Sequence, residues 1–125
     1  MKFTLSVLGC GSRGCDTYGS IAFCQKDKFE IVSLCDVKRS KLDKYGDIYS
    51  IPENLRFTDE DEFFKEKRSD ALIISTLDQD HVRQCLKAIK LGYVILLEKP
   101  ISDNENELKE LLSAQKKYGA KIMVC

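Results

Sequence analysis

A glycine-rich segment near the amino terminus has the residue types and spacing of a phosphate-binding loop. The segment Gly9-Cys10-Gly11-Ser12-Arg13-Gly14 fits the pattern G-x-G-x-x-G, and it lies between a short β-type run and a helical pattern. In such a loop the first glycine permits a tight turn, the second lets the backbone approach a pyrophosphate, and the third allows close helix packing. The amino end of the helix then offers free N–H groups to the phosphates. The residues predicted to contact this ligand are Gly9, Gly11, Ser12, Arg13 and Gly14.

A single acidic residue strengthens the prediction of a dinucleotide site. Asp36 ends the second β-type run, about 20 residues after Gly14, where a carboxylate accepts the hydroxyls of an adenosine ribose. A carboxylate there repels a 2′-phosphate, so NAD is favoured over NADP. Lys38 and Arg39 argue in the other direction, because basic side chains just past that strand can hold a 2′-phosphate. The alternatives are that the glycines serve a turn alone, that Asp36 caps the next helix, and that Arg13 is solvated.

Strands and helices alternate along the chain. The β-type runs cover residues 4–8, 29–35, 57, 70–75, 93–97 and 120–124, and the helical patterns cover residues 13–25, 38–45, 58–64, 78–91 and 102–117. The continuous apolar runs at residues 71–74 and 94–97 are typical of strands buried on both faces. This order predicts an α/β Rossmann fold, a single three-layer α/β/α domain over residues 1–125 with a six-stranded, mainly parallel sheet.

Local signals predict where several elements begin and end. Thr58 with Asp61, and Ser102 with Glu105, have the spacing of a capping box. Residues 43–54 are the least regular and are predicted to form a loop. We further expect Gly92 and Gly119 to end helices, and Tyr18, Ile21 and Ala22 to share one helix face.

Composition excludes several classes of function. The chain has 125 residues with 20 basic and 20 acidic side chains, so no electrostatic argument favours nucleic acid as a partner. We find no export signal and no run of about 20 apolar residues, and we therefore expect a cytoplasmic protein without membrane contact. No C-x-x-C pair occurs and only one histidine is present, so reduced packing thiols are favoured over disulfides or a metal site for Cys10, Cys15, Cys24, Cys35, Cys85 and Cys125.

The end of the fifth β-type run carries a motif of a known family. The chain resembles the amino-terminal domain of the glucose–fructose oxidoreductase and inositol dehydrogenase (Gfo/Idh/MocA) family. The matching segments are the glycine loop, Asp36, the segment from Thr76 to His81, and the tetrapeptide Glu98-Lys99-Pro100-Ile101. The resemblance spans the full chain. It implies NAD as cofactor, and hydride transfer between the nicotinamide and a hydroxyl of a sugar or polyol. It further implies that Lys99 positions the substrate and assists proton transfer.

The resemblance also implies that Thr76, His81 and Glu98 contact the cofactor. Where the family often has Thr-Pro-Asn-x-x-His, this chain has Leu77 and Asp78 in place of proline and asparagine. Asp78 either belongs to the loop that contacts the cofactor or caps the helix that follows. For His81, an exposed position in the first helical turn is an equal alternative.

Family members continue into a second α/β domain that supplies most substrate contacts, a catalytic histidine and the usual oligomer interface. Residues 1–125 do not include it, so we expect this chain to bind dinucleotide without robust turnover, and we expect exposed apolar surface that favours a homo-oligomer. Two alternatives remain at this point. One is a non-catalytic NAD(P)-binding or sensing module that leaves Lys99 idle, and the other is a Rossmann domain for another adenosine ligand such as S-adenosylmethionine.

Overall fold

The computed structural model describes residues 1–125 and contains one sheet of six parallel strands. These are β1 (Phe3–Leu8), β2 (Phe29–Cys35), β3 (Arg56–Phe57), β4 (Ala71–Ile74), β5 (Val94–Leu97) and β6 (Ile122–Val124). Their order in the sheet is β3-β2-β1-β4-β5-β6. All five pairings are parallel, which confirms the predicted fold class. The strand order reverses between β1 and β4, and in open α/β sheets ligands bind outside the carboxyl ends of the strands at that point.

Helices cover both faces of the sheet. Helix α1 is π-helical over Ser12–Gly19 and α-helical over Ser20–Cys24, and it is followed by α2 (Arg39–Ile48), α3 (Glu60–Phe63), α4 (His81–Lys90) and α5 (Glu105–Tyr118). Short 3-10 turns occupy Glu53–Leu55 and Asp78–Asp80. None of these helices combines the length and the apolar character that crossing a bilayer requires. The predicted helix ends at Gly92 and Gly119 are confirmed, since both glycines have positive φ.

Two apolar clusters, one on each side of the sheet, form the core. Because side chains alternate along a strand, Val7 and Ile73 join the cluster under α1 and α2, whereas Leu72 and Ile74 join the cluster under α3, α4 and α5. Every residue of β4 is buried. This accounts for its continuous apolar sequence and confirms the three-layer arrangement.

The beginning of α1 departs from regular helix geometry. The N–H of Asp16 donates to the carbonyl of Gly11, five residues earlier, and the hydroxyl of Thr17 donates to the carbonyl of Ser12. The wider turn shifts the helix face relative to a regular α-helix. Ala22 is buried, but Ile21 is 56% exposed, so the expectation that Ile21 shares the buried face was wrong.

The predicted loop over residues 43–54 was wrong in its first half, because α2 extends to Ile48. Packing stabilises this extension. The rings of Tyr45 and Tyr49 stack with centroids 6.2 Å apart, and both residues are buried. At Gly46 a Cβ would collide with the guanidinium of Arg56, so the glycine that suggested a loop instead makes room for a buried arginine.

Both capping boxes were assigned to the wrong residues. Asp59, not Thr58, caps α3 by accepting the N–H of Asp61 at 2.9 Å. Asn104, not Ser102, caps α5 by accepting two backbone N–H groups. Asp78 caps no helix, because it lies within the 3-10 turn that precedes α4.

The six thiols are all free, and four of them are buried: Cys10, Cys15, Cys35 and Cys85. Cys24 and Cys125 are exposed. The prediction of a packing role was therefore wrong for these two cysteines, because each lies at the end of an element where the core no longer covers it.

The close contact of Gly14 with the loop after β1 generates a stability prediction. A Cβ at Gly14 would collide with the carbonyl oxygen of Gly9 and the hydroxyl of Ser75. We expect Gly14→Ala to lower the free energy of unfolding by about 2 to 3 kcal/mol, because such overpacking forces the backbone to shift. Urea denaturation measures this change.

Gly11→Ala is the matched control in the same loop. The only atom within 4 Å of a Cβ at Gly11 is the Nζ of Lys41, at 3.9 Å. This variant is expected to unfold at the wild-type urea concentration. Equal stability of both variants would show that Gly14 does not seat α1 on the sheet.

Candidate functional site

A cleft of about 430 Å³ opens at the carboxyl ends of the strands, where the strand order reverses. It lies between the glycine loop, the end of β2 and the loop that follows β4. Its polar lining comes from Gly9, Gly11, Asp36, Lys38, Lys41, Thr58, Glu60, Ser75, Thr76, Asp80 and Gln84. The volume falls within the range of small-molecule and cofactor sites.

The three glycines of the loop meet three different spatial requirements. Gly9 has φ +95°, and a Cβ there would lie 2.6 Å from the carbonyl oxygen of Ser75, so only glycine fits this turn. Gly14 seats α1 closely against the same turn. Gly11 faces the open cleft, which leaves room for a pyrophosphate to approach the backbone at the amino end of the helix.

Asp36 lies at the edge of this cleft and fastens two loops together. Its Oδ2 accepts the N–H of Cys10 at 2.8 Å, and its Oδ1 accepts the N–H of Lys38 at 2.8 Å. Carboxylate oxygens have further lone pairs that can accept ribose hydroxyls. Of the two basic residues considered for a 2′-phosphate, Lys38 lines the cleft, whereas Arg39 is tied to Asp43 and Glu53 on the outer side of α2.

Glu98, at the end of β5, is held by two residues of α1. The hydroxyl of Tyr18 donates to Glu98 Oε2 at 2.7 Å, and Arg13 Nε lies 3.5 Å from Glu98 Oε1. The Arg13 guanidinium also lies over the Tyr18 ring, 5.8 Å from its centroid. The hydrogen bond to Glu98 raises the pKa of Tyr18 to about 12. This contact links the glycine loop to the segment that carries Lys99.

Lys99 follows directly and lies exposed at the carboxyl edge of the sheet. Its backbone N–H donates to the carbonyl of Cys125 at 2.8 Å, which fixes the main chain, but its ammonium group has no ion-pair partner. A free cation at this edge is available to a ligand oxygen.

His81 lies in the interior of the protein. It is fully buried, although it does begin α4, so an exposed position is excluded. Its Nδ1 lies 2.7 Å from the carbonyl oxygen of Pro100, and its Nε2 lies 3.2 Å from that of Thr76. His81 does not line the cleft. It joins the loop after β4 to the turn that contains Lys99.

Glu60 and Gln84 line the cleft and were not identified from the sequence. Burial opposes ionisation of the Glu60 carboxyl, but hydrogen bonds from Arg83 and Lys87 outweigh it and lower its pKa. Gln84 accepts the hydroxyl of Thr76 and donates to Glu60. These residues belong to separate helices, so no sequence spacing could have brought them together.

Comparison with known proteins identifies the family. The profile of the oxidoreductase family with an NAD-binding Rossmann fold matches residues 3–125. The chain belongs to the Gfo/Idh/MocA family. It is an NAD-binding Rossmann domain of these oxidoreductases, which confirms the resemblance inferred from the glycine loop and the Glu98-Lys99-Pro100 motif.

One curated protein and two solved structures illustrate what the chain is similar to. An uncharacterized protein of Saccharomyces cerevisiae is 30% identical over 89 residues, which are 69% of this chain and 25% of that protein. The aldose-aldose oxidoreductase from Caulobacter crescentus, complexed with glycerol, aligns with TM-score 0.80 and 25% identity, over 99% of this chain and 37% of that chain. The WlbA dehydrogenase from Bordetella pertussis, in complex with NADH and UDP-GlcNAcA, aligns with TM-score 0.86 and 22% identity, over 100% and 37%.

The present chain therefore spans about a quarter of the length of this curated relative and little more than a third of these solved structures.

The contact between Tyr18 and Glu98 generates a pH-dependent prediction. Tyr18→Phe removes a donor to a nearly buried carboxylate and is expected to lower the free energy of unfolding by about 1 kcal/mol at neutral pH. The pKa of Tyr18 rises from 10.0 to about 12 on folding, so this contribution is complete below pH 10 and is lost as the pH rises towards 12. Urea titrations from pH 7 to pH 11 should show the difference between wild type and variant shrinking only above pH 10.

Tyr118→Phe is the control, because Tyr118 is 47% exposed and its hydroxyl makes no hydrogen bond. A Tyr18→Phe effect that stayed constant up to pH 11 would contradict the assigned hydrogen bond.

Proposed function

We propose that this chain is the cofactor-binding domain of an NAD-dependent oxidoreductase that transfers hydride between the nicotinamide and a hydroxyl of a sugar or polyol. The observation that carries the proposal is the presence of the glycine-lined cleft and the free ammonium of Lys99 at the same edge of the sheet. The glycerol complex of the aldose-aldose oxidoreductase and the UDP-GlcNAcA complex of WlbA support a sugar or polyol as the substrate class.

The residues of the cleft fit a dinucleotide. Gly11 and the amino end of α1 would hold the pyrophosphate, and Asp36 would accept the hydroxyls of the adenosine ribose. Thr76, on the loop after β4, and Glu98, at the end of β5, would border the nicotinamide end. Arg13 contributes by holding Glu98, and Ser12 offers its backbone N–H at the start of the helix.

Lys99 performs the proton transfer in this proposal. The chemistry that NAD would supply when bound is hydride exchange with the carbon atom that bears the substrate hydroxyl. Lys99 Nζ would bind the oxygen on that carbon; as the neutral amine it would accept the hydroxyl proton when the alcohol is oxidised, and as the ammonium it would return a proton when the carbonyl is reduced. The contact of His81 Nδ1 with the carbonyl of Pro100 and the hydrogen bond from Tyr18 to the Glu98 side chain restrain the residues on either side of this lysine.

Turnover requires more than residues 1–125 in this proposal. Hydride transfer needs a water-poor site that holds both reactants, but Lys99 is exposed here. Exposed apolar side chains on α5 and β6, among them Leu112 at 53% and Met123 at 66%, offer a surface for further protein. We propose that a second domain, which closes over Lys99, supplies the remaining substrate contacts.

Binding of NAD by residues 1–125 tests the cofactor site. At 100 times its dissociation constant, NAD should raise the free energy of unfolding by about 2.7 kcal/mol and the thermal midpoint by roughly 10 °C. Gly11→Ala places a methyl group where the pyrophosphate would lie, so the same NAD concentration should raise its midpoint by less than about 3 °C. The midpoints without NAD should be equal, because this Cβ meets only Lys41. If NAD raised the thermal midpoint of the wild type and of Gly11→Ala equally, the pyrophosphate would not lie against Gly11.

Substitution of Lys99 tests the catalytic role in a protein that contains the substrate domain. Lys99→Met keeps the length of the side chain and removes the ammonium, so kcat should fall on the order of a hundredfold or more. The dissociation constant for NAD should stay within about twofold, because Lys99 acts on the substrate oxygen. Lys109→Met, on the exposed face of α5, is the control. Unchanged kcat would favour a binding or sensing module instead.

A further inference from the structure

Another cavity lies at the end of the sheet opposite the cofactor cleft. It has a volume of about 350 Å³ and opens beside Phe29, at the start of β2, whereas the cleft lies beside Cys35, at the end of the same strand. The strand is 7 residues long, which places the two sites about 20 Å apart. No residue lines both of them. This cavity is therefore available to a ligand other than the dinucleotide.

The short β3 leaves this cavity open. Because β3 pairs only with Leu34 and Cys35, the first residues of β2 have no neighbouring strand on that side. Residues 50–52, which follow the end of α2, form the opposite wall instead. The space between these walls has the size of a site for a small molecule.

Aromatic rings form much of the apolar lining. The rings of Phe23, on α1, and Tyr49, at the end of α2, lie 5.1 Å apart between centroids, and Phe29 lines the strand side. The Tyr49 hydroxyl donates to the carbonyl of Cys15 at 2.5 Å, which fixes the Tyr49 ring in place. Because these walls are preformed, a planar apolar ligand can pack on them with little ordering of side chains.

The charged groups at this cavity favour an anion. The ammonium of Lys26 lies over the Phe23 ring, 4.2 Å from its centroid, and Lys2 also lines the cavity. Neither lysine forms an ion pair within the chain. Glu30 is the only acidic residue of the lining, and alternation along β2 turns its side chain to the opposite face of the sheet from Phe29. The cavity therefore combines an aromatic floor with two ammonium groups that no carboxylate neutralises.

We propose that this cavity is a second binding site of the protein, and that its ligand is a small aromatic carboxylate. The ring of the ligand packs against Phe23, Phe29 and Tyr49, and its carboxylate accepts hydrogen bonds from Lys26 and Lys2. A ligand that lacks either the ring or the negative charge satisfies only half of this lining. The proposal does not depend on the cofactor site, because no residue of the cleft takes part.

Titration of the 125-residue chain with phenylacetate, followed by backbone amide NMR, tests the proposal. Phenylacetate should shift the amide signals of Phe23, Phe29 and Ser50 to saturation, with a dissociation constant of about 1 mM or lower, and leave those of Gly9 and Gly11 unchanged. Phenylacetamide keeps the ring without the charge, and acetate keeps the charge without the ring. Each should bind at least about fivefold more weakly than phenylacetate.

Substitution of Lys26 separates the contribution of the charge from that of packing. Lys26→Met keeps an aliphatic side chain over the Phe23 ring and removes the ammonium. Phenylacetate should therefore bind this variant about fivefold more weakly, whereas the affinity for phenylacetamide should change by less than about twofold. Lys28→Met is the matched control, because Lys28 is exposed nearby in the chain and does not line the cavity, and this variant should bind phenylacetate like the wild type.

Each of the following results would overturn the proposal. Phenylacetate could produce no saturable shift up to about 10 mM, or it could shift only the amides of the glycine loop. Phenylacetate and phenylacetamide could bind equally well, or Lys26→Met could weaken phenylacetate binding no more than Lys28→Met does. The NAD titration is a separate measurement, so a failure of NAD to bind would leave this site standing, and the reverse also holds.

Discussion

The rest of the structure depends on the absence of a side chain at Gly14. This glycine lets the first turn of α1 lie against the carbonyl of Gly9 and the hydroxyl of Ser75, so the helix starts directly above the gap between β1 and β4. The amino end of the helix, the open face of Gly11 and the loop after β4 all meet there because of that contact. A larger residue would move α1 outward and separate these groups from each other.

Polar groups from distant parts of the chain then connect the loops at this edge of the sheet. Asp36 joins the loops after β1 and β2, His81 joins those after β4 and β5, and Tyr18 joins α1 to the end of β5. The buried side-chain nitrogen and oxygen atoms all have hydrogen-bond partners. The loops therefore restrict one another before any ligand arrives, which lowers the entropic cost of binding.

The strands and the glycine loop were predictable from the sequence because their signals are local. Burial on both faces gives β4 its continuous apolar sequence, and the turn after β1 requires glycine at fixed positions. The equally apolar β5 was predicted to be buried on both faces, but Val94 is exposed and Leu96 is half-buried. The extent of α2 and the caps at Asp59 and Asn104 were not predictable, since tertiary packing around Tyr45 and competition between adjacent polar residues decide them. Lys41 was missed for the same reason, because only folding brings α2 over Gly11.

The reactivity of the thiols around the glycine loop depends on whether this region is closed. A hydrogen bond with Cys15, together with burial, raises the pKa of Cys10 far above its ordinary value, and burial raises that of Cys35 to about 12. Alkylating reagents attack thiolates, so these sulfurs stay unreactive while the loop is packed. Cys24 and Cys125 are exposed and react regardless. The rate at which the buried thiols are modified, compared with the rate for the exposed thiols, therefore reports how often the region around the loop opens.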